Sequence, residues 1–495
     1  MRMLKRAAIS LLKLTVFIAL VWLAVTLYWQ YTDHVVSSED LLIYFLILPV
    51  ALLLTYFVTR TVWWASKKTL GGRQTPTAAV PLSGLAVNGV SRSGHAGETP
   101  STYVLANAIS TYFGDDHDGF LSAILDDKLR VEIDAAFTQE LGYGVRVARV
   151  DQLDVVSPHQ DIRITVLRTS ALLQRIYAQL EDLLIKTAPA SAVLEGTGNQ
   201  LRGIHLHPEW RGGALSPQSV VQSGQDETQR ASMPTNLSVH IVLPVFLSPI
   251  EASLIQAEIM SWLEMSGWPT KAVSAITIQP ENEVEYFRVL QAWQQGSDPP
   301  GGNEWLLVLS AMSWLDTDLL NDRLYKEPQF ADQLAKGGSV IGELACGMVF
   351  AKMPPAAELQ LDPFTRLSGW SVGQRNKPVD AKGSIEADLL NEMLAAQQLA
   401  LPEPAPLFLG VVASGDLNNR RVVELGRWVT DSLPQLDFIG DVLCVAEHIG
   451  ECEPAGSVLA LGLASAMAQQ RAGSVLFCAN QPPNWRMLAT VSPVI

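Results

Sequence analysis

The sequence predicts an α/β protein carried on two N-terminal transmembrane helices, and three observations lead there. Two apolar runs open the chain, at residues 14–29 and 41–58. Beyond residue 236, strand-like and helix-like segments alternate to the end of the chain. A chain of 495 residues also exceeds the size at which one core keeps growing, so more than one domain is expected.

The first run is apolar except for Thr15 and Thr26, and the second is interrupted only by Pro49 and Thr55. With its flanks, each is long enough at ~1.5 Å per residue to cross a ~30 Å hydrocarbon layer. Tyr28, Trp29 and Tyr31 follow the first run and Trp63 and Trp64 the second, an interfacial aromatic pattern. Arg2, Lys5, Arg6 and Lys13 precede the pair, and Arg60, Lys67, Lys68 and Arg73 follow it. The connector carries Asp33, Glu39 and Asp40 but no Lys or Arg. A two-pass membrane hairpin with both ends cytoplasmic is therefore expected.

Residues 1–68 form that hairpin in this reading. Residues 69–100, rich in Gly, Ser, Thr and Pro, are a flexible linker. An N-terminal α/β domain is expected over 101–207, with strands in VRVARVDQLDVV and IRITVL and a helix over 171–187. A second linker spans 208–235, and the final domain runs from 236 to 495.

Net charge is −15, and no stripe of Lys and Arg lies outside the membrane flanks, which argues against nucleic acid as partner. The four cysteines, Cys346, Cys444, Cys452 and Cys478, fit neither a zinc spacing nor a disulfide framework, so buried reduced thiols are expected. Asp115-Asp116-His117-Asp118-Gly119 looks superficially like a calcium loop, but Gly114 and Leu125 occupy its end-ligand positions; a turn before a helix fits better. Neither a metal nor a cofactor is expected.

Three segments carry a resemblance. GSVIGELACGMVFAK, LFLGVVASGDLNNRRVVELGRWV and HIGECEPAGSVLALGLASAM, in this order, resemble three blocks of β-ketoacyl synthases in the thiolase-like superfamily. That resemblance implies a thiolase-like C-terminal domain. It also implies a nucleophilic cysteine well before the first block and a histidine in each of the other two. Here no cysteine precedes Cys346, and the histidine positions hold Ser414 and Glu451. A serine alone is no useful base, and an ionised carboxylate repels a developing oxyanion. No catalytic residue is therefore assigned; Ser313, Ser414 and Glu451 are expected to border a vestigial pocket. A relocated Ser313–His448–Asp441 arrangement is the enzymatic alternative, and it depends on geometry.

The organisation of the whole chain, membrane-proximal N-terminus, α/β domain and degenerate synthase-like domain, resembles the type VI lipase adapter family. That resemblance implies a bacterial inner-membrane adapter or chaperone that binds a secreted lipase effector and loads it onto a VgrG-type spike. Trp210, Trp370, Trp428 and Trp485 are aromatic candidates for such a contact, each more often core than interface, and none is assigned as a site. The alternative is a non-catalytic thiolase-like scaffold or sensor that binds a small acyl or carboxylate ligand in the vestigial pocket.

Overall fold

The computed structural model describes residues 101–189 and 234–494, apart from short stretches at 127, 130, 154, 156–161, 297–302, 328–329, 332–333, 335–339, 356–358, 362, 401–406, 416–418 and 451. The two expected spans, the 69–100 linker and nearly all of the 208–235 linker lie outside the described residues. Among those described, no helix is long and apolar enough to cross a membrane.

The first half of the fold runs through β1 (Thr102–Ser110), α1 (His117–Leu125), α2 (Ala135–Leu141), β2 (Val147–Ala148), α3 (Ile164–Thr187), β3 (Asn236–Val242), α4 (Pro249–Met265), β4 (Val273–Ile278), α5 (Glu283–Gln295), β5 (Glu304–Ser313), α6 (Thr317–Lys326) and β6 (Ile341–Ala351). The second runs through β7 (Thr365–Gln374), α7 (Asp388–Ala400), β8 (Phe408–Ala413), α8 (Asn419–Ser432), α9 (Phe438–Asp441), β9 (Val442–Cys444), α10 (Val445–Ile449), α11 (Ala455–Gln470), β10 (Ser474–Ala479) and β11 (Trp485–Pro493).

One mixed sheet threads both halves in the order β4-β3-β5-β6-β1-β7-β11-β10-β8-β9, with β2 pairing β6. The order conceals a duplication. In the first half β3 lies parallel to β4 and β5, while β6 runs antiparallel to β5 and β1. In the second, β8 lies parallel to β9 and β10, while β11 runs antiparallel to β10 and β7. The two five-stranded patterns are the same. They join where Thr102, Tyr103 and Val104 of β1 pair with Leu367, Arg366 and Thr365 of β7. No short repeat is visible in the sequence, because the halves share connectivity rather than residues. β1 comes from the segment expected as the N-terminal domain, yet it is flanked on both sides by strands from the segment expected as the final domain.

The alternation of side chains along the strands sets the layers. Trp305, Leu307 and Leu309 of β5 pack with α3 and α4, whereas Leu306, Val308 and Met312 pack with α5 and α11. Likewise Val475 and Phe477 of β10 join the α5–α11 core, while Leu476 and Cys478 face α7 and α8. Two half-sheets thus enclose a central layer made of α5 and α11. β5 and β6 are covered on both faces, which is why they read as unbroken apolar runs. α11 is buried all round from Ala455 to Met467 and beyond, as a helix in a middle layer must be.

Two sequence expectations are corrected here. IRITVL is not a strand: Arg163 caps α3, and residues 164–167 form its first turn. Val166, Thr169, Leu172, Leu173 and Ile176 continue one buried helical stripe, and packing outweighs the weak β preference of branched residues. VRVARVDQLDVV contributes only the two residues of β2. At the Asp115–Gly119 turn, the Asp116 carboxylate accepts from the amides of Asp118 and Gly119 and caps α1, while Asp115 pairs with Arg175.

Candidate functional site

The chain leaves the C-terminal end of β8 at Ser414, whose amide donates to the Cys478 carbonyl at 3.0 Å. Its Oγ accepts from the Asn480 amide at 3.2 Å, and the amide of Gly415 donates to Asn480 Oδ1 at 2.8 Å. Ser414 and Asn480 are fully buried.

The residue from the first half that meets this turn is Glu283, which opens α5 after the Asn282 cap. It is 2% exposed. Its Oε1 accepts from the Gln481 amide at 2.7 Å and its Oε2 from Ser457 Oγ at 2.8 Å, and the Ser414 hydroxyl also hydrogen-bonds it. Burial pushes the Glu283 carboxyl above the ordinary carboxylate range, while the Ser414 and Ser457 hydroxyls, the Gln481 amide and the charge of Arg486 pull the other way. Ser457 Oγ also lies 2.5 Å from Glu453 Oε2.

Glu283 and Glu453 border a cavity of about 370 Å³. Its walls include Phe246 and Trp314, whose ring centroids are 4.7 Å apart, and Arg323, whose guanidinium lies 4.6 Å over Trp314. Glu281 and Glu327 complete the charged lining, and Arg323 Nε is 3.2 Å from Glu327. Among the described residues, the buried Asn480 Nδ2 and Gln481 Oε1 next to the cluster make no hydrogen bond.

The sequence-predicted residues fall in three places. Ser414 is in the cluster. Glu451 lies outside the described residues, although its neighbours Cys452 and Glu453 are in the same turn. Ser313 belongs to a different network: its Oγ donates to Glu343 Oε2 at 2.8 Å, and its carbonyl accepts from Thr165 at 2.7 Å. Glu343, the acid of the glycine-glutamate block, is itself clasped by Arg168 and by the Val150 amide at 2.8 Å. The preceding Gly342 is needed for close approach, since a Cβ there would stand 2.7 Å from the Ile449 carbonyl oxygen.

The Ser313–His448–Asp441 arrangement does not form among these residues. The Ser313 hydroxyl is spent on Glu343, Asp441 pairs with Arg471 at 2.6 Å, and His448 Nε2 sits 3.9 Å from Glu447. All four cysteines are buried, and burial pushes the thiols of Cys346 and Cys478 upward, away from the reactive thiolate. Of the tryptophans considered as contacts, Trp370 and Trp428 are core residues, Trp485 stacks under Arg288 at 4.1 Å, and Trp210 lies outside the described residues.

Glu283, Ser457 and the Asn480–Gln481 turn belong to no motif. A signal for Glu283 was nevertheless present: Glu283, Phe287, Leu290 and Gln294 share one face at helical spacing, which places an acid on the stripe that the apolar members bury.

No family model and no curated protein matches the chain. Among solved structures it is similar to OleA of Xanthomonas campestris. A histidine-to-alanine variant of that protein shares 11% identity at a TM-score of 0.41, with 80% of this chain and 100% of that one covered. A cerulenin-bound OleA gives 12%, 0.40, 80% and 97%, and an acetamide-bound OleA 11%, 0.41, 79% and 98%.

Proposed function

We propose that this chain is a non-catalytic thiolase-like scaffold that holds a small acyl ligand in the cavity beside Glu283. The observation that carries the reading is the make-up of the place where both halves meet. Glu283, Ser414, Ser457 and the Asn480–Gln481 turn supply hydrogen bonds and a carboxyl, whereas the four cysteines lie buried. In this reading such groups bind and orient: Ser457, which has the carboxyls of Glu283 and Glu453 beside it, is held by them rather than activated as a nucleophile.

The charge of the cavity favours an acyl over a carboxylate ligand in this reading. Four carboxyl residues, Glu281, Glu283, Glu327 and Glu453, face one guanidinium, Arg323, which already pairs with Glu327. A carboxylate ligand would enter against like charge, while a neutral acyl carbonyl would not. Phe246 and Trp314 supply the apolar wall for its tail.

Calorimetry of the full-length protein against short N-acyl amides and acyl thioesters tests this. Saturable binding without turnover, weakened by Ser457→Ala, is the expected result. Absence of heat with every acyl compound, or steady hydrolysis of the thioester, overturns it. The effector-adapter role implied by the chain's organisation leans on residues 1–100, which lie outside the described ones.

A further inference from the structure

Ser457 Oγ stands 2.8 Å from Glu283 Oε2 and 2.5 Å from Glu453 Oε2. Each is a hydrogen-bond separation, and oxygens approach so closely only with a proton between them. A serine hydroxyl carries one hydrogen, so it can bridge to only one of the two carboxyls. The second contact needs a proton from a carboxyl.

We infer that Glu283 and Glu453 hold one proton between them across Ser457, and that this proton selects acyl groups presenting an acceptor oxygen over carboxylates. The second clause rests on the proposed function; the first does not.

The surroundings bear on both states. Glu283 is faced by the Ser414 hydroxyl after β8, the Gln481 amide after β10, Ser457 on α11 and Arg486 on β11. Behind Arg486 lies Glu424 of α8, which also pairs with Arg375. Toward the cavity stand Glu281, Arg323 and Glu327. Arg421 of α8 donates to the Gln481 carbonyl and is offset by Asp380 at 3.7 Å, so the two guanidiniums on Glu424 leave a single positive charge behind the cluster, which balances one anionic carboxyl but not two. The pair therefore takes up one proton and titrates as a unit. Its loss at higher pH leaves two like charges sharing one serine.

The test is isotope-edited infrared spectroscopy of the full-length protein with ¹³C-labelled glutamate at neutral pH. The expected result is a carbonyl stretch of an un-ionised carboxylic acid, absent from both Glu283→Gln and Glu453→Gln, because a glutamine N–H then supplies the missing hydrogen. Glu453 is the less buried of the two, so its variant keeps the test alive if Glu283→Gln fails to fold. No acid band in the wild type, or a band surviving in the folded Glu453→Gln, overturns the inference. In parallel, affinity for a neutral N-acyl amide is measured across the titration of that band, with a weakening of about tenfold expected. A band without acyl binding defeats the ligand reading alone; acyl binding without a band defeats the shared proton alone.

Discussion

Arg168 on α3 closes on both carboxylate oxygens of Glu343 on β6, an ion pair formed across 175 residues of chain with Glu343 itself wholly enclosed. The same carboxylate takes the Ser313 hydroxyl and the Val150 amide, so all its lone pairs are used. Removing one partner of such a buried pair leaves the other charge uncompensated. Glu343→Ala is expected to cost about 3–5 kcal/mol in urea unfolding, and a loss below about 1 kcal/mol would mean that the pair is solvated.

Ser313→Ala separates that network from the cavity. It removes a hydroxyl that donates to a carboxylate and accepts from the Leu315 amide, about 1.5–3 kcal/mol of stability. Acyl affinity measured by calorimetry should stay within twofold of wild type, whereas Ser457→Ala should lower it. Equal loss in both variants would join two clusters that share no hydrogen-bonded group here.

Burial raises the Glu283 carboxyl, so the native state binds its proton more tightly than the unfolded chain does. Its contribution to stability is then full below the unfolded carboxylate value and is lost as pH rises through the raised native one. Glu283→Gln should flatten this alkaline-side decline and be relatively more stable at pH 8 than at pH 4. Denaturation midpoints at the two pH values check the sign.

His240 on β3 works in the opposite sense. It is 4% exposed, and burial lowers its imidazole from 6.5 to about 4. The neutral ring is favoured in the native state, so stability falls as pH drops from 6.5 toward 4. The size is about 3 kcal/mol, from the free-energy equivalent of a pKa change. His240→Gln should remove most of that acid dependence, read as the slope of melting temperature against pH.

At the start of α4, Ser248 Oγ accepts from the Glu251 amide at 3.3 Å while Glu251 Oε2 accepts from the Ser248 amide at 2.7 Å. Arg163 draws the Glu251 carboxyl down to about 2, so the cap stays ionised until pH falls toward that value. Ser248→Ala should cost about 1 kcal/mol by chemical denaturation.

The legible and the hidden parts of this molecule divide along physical lines. β5 and β6 could be read because strands buried on both faces spell continuous apolar runs, and α11 because only the small Ser457 and Ser465 break its run before Gln469. α3 was half misread, since Ile162–Leu167 carries β-branched residues whose local preference gives way to a stripe completed only further along. Ser414 was singled out through the synthase resemblance, which fixes a position but not its surroundings. Glu283 was missed because an acid beside a helix cap is ordinarily a solvated one, and only the far ends of β8 and β10 reveal that this one is covered. The duplicated strand order left no trace in the residues, because a half-sheet asks for hydrophobic faces of the right period rather than for particular side chains.

Every donor reaching Glu283 comes from the other copy of that pattern: Ser414, Ser457 and Gln481 all follow β7, while the carboxyl precedes β5. Cutting the chain between β6 and β7 would strand an acid without its hydrogens in one fragment and a set of hydrogens without their acid in the other. The two copies are therefore not autonomous modules, and neither should be expressible as a native-like piece without its twin.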